Sequence, residues 1–79
     1  MPTVLRIAGY RFSFFAADRN EPKHLHVTKG DGLAKFWLEP VEMQSSVGFT
    51  RPQLRFIERT IKDNHQKLIR DWNDYFATH

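Results

Sequence analysis

The chain has 79 residues, a formal net charge of +3, 14% aromatic side chains and no cysteine. A chain this short has room for one small core, so we predict a single domain over residues 1–79, with only a weak preference for anionic partners. Disulfides and thiolate metal sites are excluded, and no apolar run suits a signal peptide or a membrane span, which predicts a cytoplasmic, prokaryotic-type protein without membrane contact.

The first quarter of the chain alternates apolar and polar residues with the period of two that is typical of strands. Residues 3–7 predict a first strand, and Ala8 with Gly9 predicts a turn. Residues 10–17 predict a second strand, followed by a polar loop over residues 18–22. The core-facing side chains of this second strand are Tyr10, Phe12, Phe14 and Ala16.

Residues 24–39 predict a β-hairpin, because two alternating runs flank the turn signal Gly30-Asp31-Gly32. The side chains that alternation assigns to the core are Leu25, Val27, Ala34, Phe36 and Leu38. The opposite, open face of the sheet then receives His24, His26, Lys35, Trp37 and Glu39, together with Arg11 and Phe15 of the second strand. Pro40 interrupts the pairing, and residues 41–45 predict a short edge strand.

The last third of the chain follows the helical period. Thr50 and Gln53 predict a capping box, and Pro52 suits the first turn. The apolar stripe consists of Leu54, Ile57, Ile61, Leu68, Trp72, Tyr75 and Phe76. It predicts one long helix over residues 51–76, with a local weak point at Asn64. The predicted fold is α+β: an antiparallel sheet of four to five strands over residues 3–45, covered on one face by this C-terminal helix.

Three stretches of the chain together resemble a family of small bacterial proteins known as domain of unknown function 4160. They are the opening MPTVLRIAGYRFSFF, the centre EPKHLHVTKGDGLAKFWLEPVE and the close DWNDYF. The centre is the specific part, since it sets a histidine doublet at a fixed distance from an AKFWLEPV strand. The resemblance implies a two-protein module of the toxin–antitoxin kind, because family members often lie beside a second small protein. It implies no catalytic residues.

His24 and His26 form the first candidate site, because residues two apart on a strand project from the same face, roughly 6.5–7 Å apart. Three roles fit this pair. The first is acid–base cleavage of RNA without metal, with Arg11 or Lys35 stabilising the phosphate. The second is metal binding, and the third is structural hydrogen bonding. The candidate third metal ligands are Glu21, Glu39 and Asp18, none with diagnostic spacing, so we predict no metal site and no cofactor.

Two further surfaces are candidates for binding. Arg11, Phe15, Lys35 and Trp37 on the open face combine cations for phosphates with rings for stacking bases, which suits single-stranded nucleic acid. The same aromatic rings suit a protein interface. On the outer face of the helix, Arg51, Arg55, Arg59 and Lys62 suit an RNA backbone or an acidic partner, or form a solvated face. His65 is expected to be a half-buried structural residue.

Two functional hypotheses follow from these surfaces. In the first, which is the leading hypothesis, the chain belongs to a two-protein bacterial module and binds or cleaves RNA through the open face. In the second, it is a non-enzymatic interaction module that forms a homodimer or binds a cognate protein through the same face. The lack of a clear third catalytic group favours the second hypothesis.

Overall fold

The computed structural model describes residues 3–15 and 19–78. The elements in this part of the chain are β1 Thr3–Ile7, β2 Tyr10–Ser13, β3 His24–Lys29, β4 Gly32–Leu38, β5 Val41–Val47, α1 Arg51–Asp63 and α2 His65–Thr78. The strands form one antiparallel sheet in the order of the chain. The predicted α+β class is therefore confirmed. Neither of the two described helices is long and apolar enough to cross a membrane.

The central hairpin has the predicted register. His24 pairs with Trp37 at one end of β3 and β4, and Lys29 pairs with Gly32 at the other. Gly30 in the connecting turn has a φ of 56°, a conformation that glycine adopts at little cost. The side chains that alternation assigned to the core, on both strands, are all buried.

The second strand is shorter than the sequence pattern predicts, because β2 ends at Ser13. Beyond it, Phe14 is buried and its ring meets the ring of Trp72 edge-on at 5.2 Å. Phe15 stacks on His26 instead of continuing the strand. Contacts of these two rings therefore replace the strand pairing at this position. Ala16, Ala17 and Asp18, which the sequence assigns to the end of the strand and the start of the loop, lie outside the described residues.

The edge strand is longer than predicted. β5 continues to Val47 and pairs along β4, with a register shift between Lys35 and Phe36. Residues 42–47 are all exposed. This run has three polar residues in succession, Gln44, Ser45 and Ser46, so it lacks the alternation of polar and apolar residues that indicates a strand.

The predicted single helix is wrong, because the chain forms two helices that meet at Asn64. The Asn64 amide donates to the Thr60 carbonyl oxygen over 2.8 Å, and the Thr60 hydroxyl donates to the Phe56 carbonyl oxygen over 2.8 Å. Side chains that bond nearby backbone in this way compete with continuous helix. The predicted capping box at Thr50 is confirmed, since Thr50 and Gln53 bond each other reciprocally.

One hydrophobic core joins the sheet to both helices. Its fully buried members include Phe12, Phe36, Ile57, Ile61 and Leu68, which come from two strands and the two helices. Each large apolar side chain buried in this way contributes roughly 1.5–3 kcal/mol to stability. The opposite face of the sheet carries no helix over most of its width, so its side chains remain available at the surface of the described chain.

Candidate functional site

The open face of the sheet is organised by cross-strand pairs. His26 lies opposite Lys35, and Trp37 lies opposite Glu42 on β5. Arg11 lies opposite Thr28 at the other end of the face. Side chains on one face alternate along each strand, so these residues share the side of the sheet that faces away from α1. The structure thus brings Arg11, His26, Lys35 and Trp37 onto one surface, and all four are half-buried.

His24 is not exposed on this face, so the expectation that it is open to solvent is wrong. Its side chain is 0% exposed, and its ring centroid lies 5.4 Å from Trp72 and 5.5 Å from Trp37. Its Nδ1 donates to the Pro22 carbonyl oxygen over 2.8 Å. The physical reason is the length of β2, which pairs with β3 only as far as His26. Beyond that point, α2 reaches the first residue of β3 and covers it.

The ring of His26 is covered by a neighbouring aromatic ring. The ring of Phe15 stacks on the imidazole with a centroid distance of 3.9 Å and an interplanar angle of 25°. The ring of His24 lies 5.1 Å away on another side. Both imidazoles are therefore packed within a cluster of aromatic rings, in which His24 is buried and His26 is half-buried.

The basic residues of the open face are engaged with neighbouring side chains. The Lys35 ammonium lies 2.7 Å from the Glu21 carboxylate and 4.9 Å from the centre of the Trp37 ring. Arg11 donates to the Thr3 hydroxyl over 2.7 Å. The Lys35 contacts hold the Trp37 ring and offset the charge of Lys35, whereas Arg11 keeps its full charge because its partner is a neutral hydroxyl. The open face is therefore less cationic than the sequence suggested.

The open face also includes an apolar pair that the sequence reasoning did not single out. Leu33 and Val47 are cross-strand partners, and they are 45% and 64% exposed. Leu33 alternates with Lys35 and Trp37 along β4, so its position on this face could have been read from the same pattern. Val47 was missed because the predicted edge strand stopped at residue 45.

The cationic residues of α1 lie on a different surface. Arg51, Arg55, Arg59 and Lys62 are all exposed, while Ile57 and Ile61 of the same helix are buried in the core. Lys62 pairs with Glu58 over 3.1 Å. Because α1 packs on the core side of the sheet, these cations cannot contact a ligand that lies flat on the open face. The structure divides the predicted binding residues into two separate groups.

His65, the third histidine of the described part of the chain, has the structural role that the sequence predicted. His65 is half-buried, and its Nε2 donates to the Leu38 carbonyl oxygen over 2.6 Å, which ties the start of α2 to the end of β4. Within residues 3–15 and 19–78, no three His, Cys, Asp or Glu side chains come together as a metal-binding group. Asp18, one of the third ligands considered, lies outside that part of the chain.

The fold and this surface define a small α+β protein with an open sheet face of aromatic, basic and apolar side chains. The family model for Domain of unknown function (DUF4160) matches residues 9–73, and the chain belongs to this family. No curated protein matches the chain, and no solved structure does. Family membership leaves the function to be argued from the geometry of the surface.

Proposed function

We propose that this chain is the non-enzymatic, protein-binding component of a two-protein bacterial module, and that the open face is its contact surface. One observation carries the proposal: Trp37 is held in place, half-exposed, between Lys35 and the buried His24. A rigid aromatic side chain that is already ordered loses little entropy on binding, and such residues dominate the energetics of protein interfaces.

The neighbouring side chains support a protein partner over a polyanion. Lys35 is paired with Glu21, and Arg11 is bonded to Thr3, so a phosphate would compete with existing contacts. The exposed pair of Leu33 and Val47 extends the face with apolar area. Interfaces combine apolar and aromatic centres with a polar rim, and this face has that composition. The burial of His24 leaves His26 as the one member of the histidine pair that could act as the base in the ribonuclease hypothesis.

The test is co-expression of the chain with the products of its adjacent genes, followed by purification through a tag on the chain. We expect a complex that Trp37→Ala weakens at least about tenfold, because an anchor at the centre of an interface carries much of its affinity. The matched control is Phe56→Ala, which removes an exposed aromatic ring on α1, away from the open face. A complex of unchanged affinity with Trp37→Ala would contradict the proposal. So would a chain that forms no complex with the co-expressed protein.

A second candidate function is RNA binding without cleavage, and one observation favours it. Arg51, Arg55 and Arg59 are exposed at helical spacing on α1. Neutralising phosphates with such cations gives an affinity that falls steeply with salt. This function predicts that Arg55→Ala weakens binding of an RNA pool and flattens the salt dependence, whereas Trp37→Ala does neither. A salt titration of both variants separates it from the protein-binding function.

A further inference from the structure

The two edge strands of the sheet differ in their contacts and in their exposure. β1 and β5 are the outer strands. At β1, Lys67 of α2 donates to the Val4 carbonyl oxygen over 2.9 Å, so a backbone acceptor of that edge strand is already hydrogen-bonded to a side chain. Along β5, residues 42–47 are all exposed, and the strand is seven residues long. A long, exposed edge strand is a template for pairing with another chain.

The helix α1 lies beneath β5 and runs antiparallel to it. β5 ends at Val47 and α1 begins at Arg51, while Lys62, near the end of α1, lines a cleft together with Val41 at the start of β5. Thirteen helical residues and seven strand residues both span roughly 20 Å. α1 therefore extends along the whole length of the edge strand.

The side of α1 that follows the β5 edge is cationic. Phe56 contacts Tyr10 of β2 at 5.1 Å between ring centroids, which marks the side of the helix turned toward the middle of the sheet. Helical spacing places a different row of exposed residues on the other side, toward β5. This row, the edge row, consists of Arg51, Arg55, Glu58 and Lys62. Its single carboxylate is paired with Lys62, so the row carries an excess of positive charge next to the free edge.

We propose that the β5 edge binds an extended, acidic segment of a partner protein as an additional strand. Side chains of such a strand alternate between the two faces. One set would contact Val47 and Leu33 on the open face, where apolar residues fit. The other set would face the edge row on the helix side, where glutamate or aspartate fits. The inference rests on the proposed function, because it names the chemistry of the partner.

The bulge in β5 determines along which residues of β5 the partner's strand is expected to pair. The register shift opposite Lys35 and Phe36 leaves Gln44 as an extra residue in β5. The bulge divides β5 into two regularly paired runs, residues 41–43 and 45–47, and the second run contains Val47 of the apolar pair. This run leads directly into the chain segment before Arg51. Arg51 and Arg55, in the first half of α1, are therefore the cations nearest to the anchored part of the strand.

A second copy of the chain fits this edge less well than an acidic partner does. Antiparallel pairing of two β5 strands about a two-fold axis would place both α1 helices on the same side of a continuous sheet. Arg51 of one copy would then approach Lys62 of the other, and the two edge rows would repel each other. An acidic strand removes that repulsion and adds attraction. RNA is excluded from this geometry, since it has no peptide groups to extend a sheet.

The experiment uses the full chain and a fluorescent nine-residue peptide in which valine alternates with glutamate, with binding measured by anisotropy. We expect Arg51→Glu combined with Arg55→Glu to weaken binding about tenfold or more. The matched control is Arg6→Glu combined with Arg70→Glu, which changes the net charge equally at other exposed positions and should change affinity less than about twofold. Val47→Asp should weaken binding severalfold, because it places a like charge where an apolar contact is expected.

A second peptide tests the strand pairing itself. N-methylation of alternate residues removes backbone donors on one edge while leaving the charge intact, so one of the two alternate methylation patterns should abolish binding. Equal binding of both methylated peptides would overturn the proposal, since attraction alone would then explain the affinity. Failure of the glutamate peptide to bind, or equal binding of its lysine counterpart, would also overturn it. Loss of the native complex with Trp37→Ala reports separately on the proposed function.

Discussion

His24 and Trp72 lie against each other, with ring centroids 5.4 Å apart, and so connect the first residue of β3 to the second half of α2. Phe14 reaches the same Trp72 ring from the end of β2. This cluster closes the end of the sheet over which β2 does not extend. It converts a histidine that the strand pattern presents as a surface residue into a member of the core.

The two histidines of β3 should respond differently to truncation. His24→Ala removes a buried ring and the donor to the Pro22 carbonyl oxygen, so we expect the free energy of unfolding to fall by more than about 2 kcal/mol. His26→Ala removes a half-buried ring and should cost at most about 1 kcal/mol. Chemical denaturation of both variants measures the difference. Equal losses would contradict the separation of the two residues into core and surface.

Leu68→Ala and Trp72→Ala should each cost more than about 2 kcal/mol, through lost burial and the cavity that remains. Phe56→Ala is the control, because the Phe56 side chain is 37% exposed and loses less contact. Thermal melts followed by circular dichroism give the comparison. Changes near zero at both Leu68 and Trp72 would show that α2 does not pack through this side.

Replacing Gly48 with alanine should lower stability more than replacing Gly30 does. Both have positive φ, 80° and 56°, but a Cβ on Gly48 would lie 2.9 Å from the Asp31 carbonyl oxygen, and a Cβ on Gly30 would meet nothing within 4 Å. Gly30→Ala should therefore cost about 1–2 kcal/mol for the backbone conformation alone. Gly48→Ala should cost more, because the turn between β5 and α1 must also shift. Equal Tm values would argue against the close approach at Gly48.

Trp37→Ala should leave the fold intact. The Trp37 ring is half-buried and contacts Lys35 and His24 at its edges, so we expect a smaller loss of stability than Trp72→Ala causes. The check is a melt of each variant beside the binding assay with the cognate protein. If Trp37→Ala unfolds the chain, Trp37 belongs to the core and the proposed contact surface is wrong.

Zinc should bind the chain only weakly. A stable zinc site needs three or four ligands at fixed positions, and the His24 and His26 rings are instead packed against aromatic neighbours. We expect less than stoichiometric zinc after dialysis of a tag-free preparation, measured by elemental analysis. One zinc retained per chain would overturn this prediction, and loss of that zinc in His26→Ala would locate it.

Local patterns in the sequence determined the α+β class and most of the core. The alternation in β3 and β4 predicted the buried set that includes Leu25, Val27 and Phe36, because side chains of a strand must point to opposite faces. The turn at Gly30 and the capping box at Thr50 were predicted from residues within a few positions of one another. Such features depend on neighbours in the chain, so they can be read without knowledge of distant contacts.

Contacts between distant residues decided the rest. The break at Asn64 was visible in the sequence only as a weak point, and beyond it α2 packs against Phe14 and His24, which are distant in the chain. The burial of His24 depends on a residue 48 positions away in the chain, Trp72. The pairing of Lys35 with Glu21 likewise depends on how the loop before β3 returns to the sheet. Alternation assigns a side chain to a face, but tertiary packing decides whether that face is covered, because coverage depends on where the other elements end.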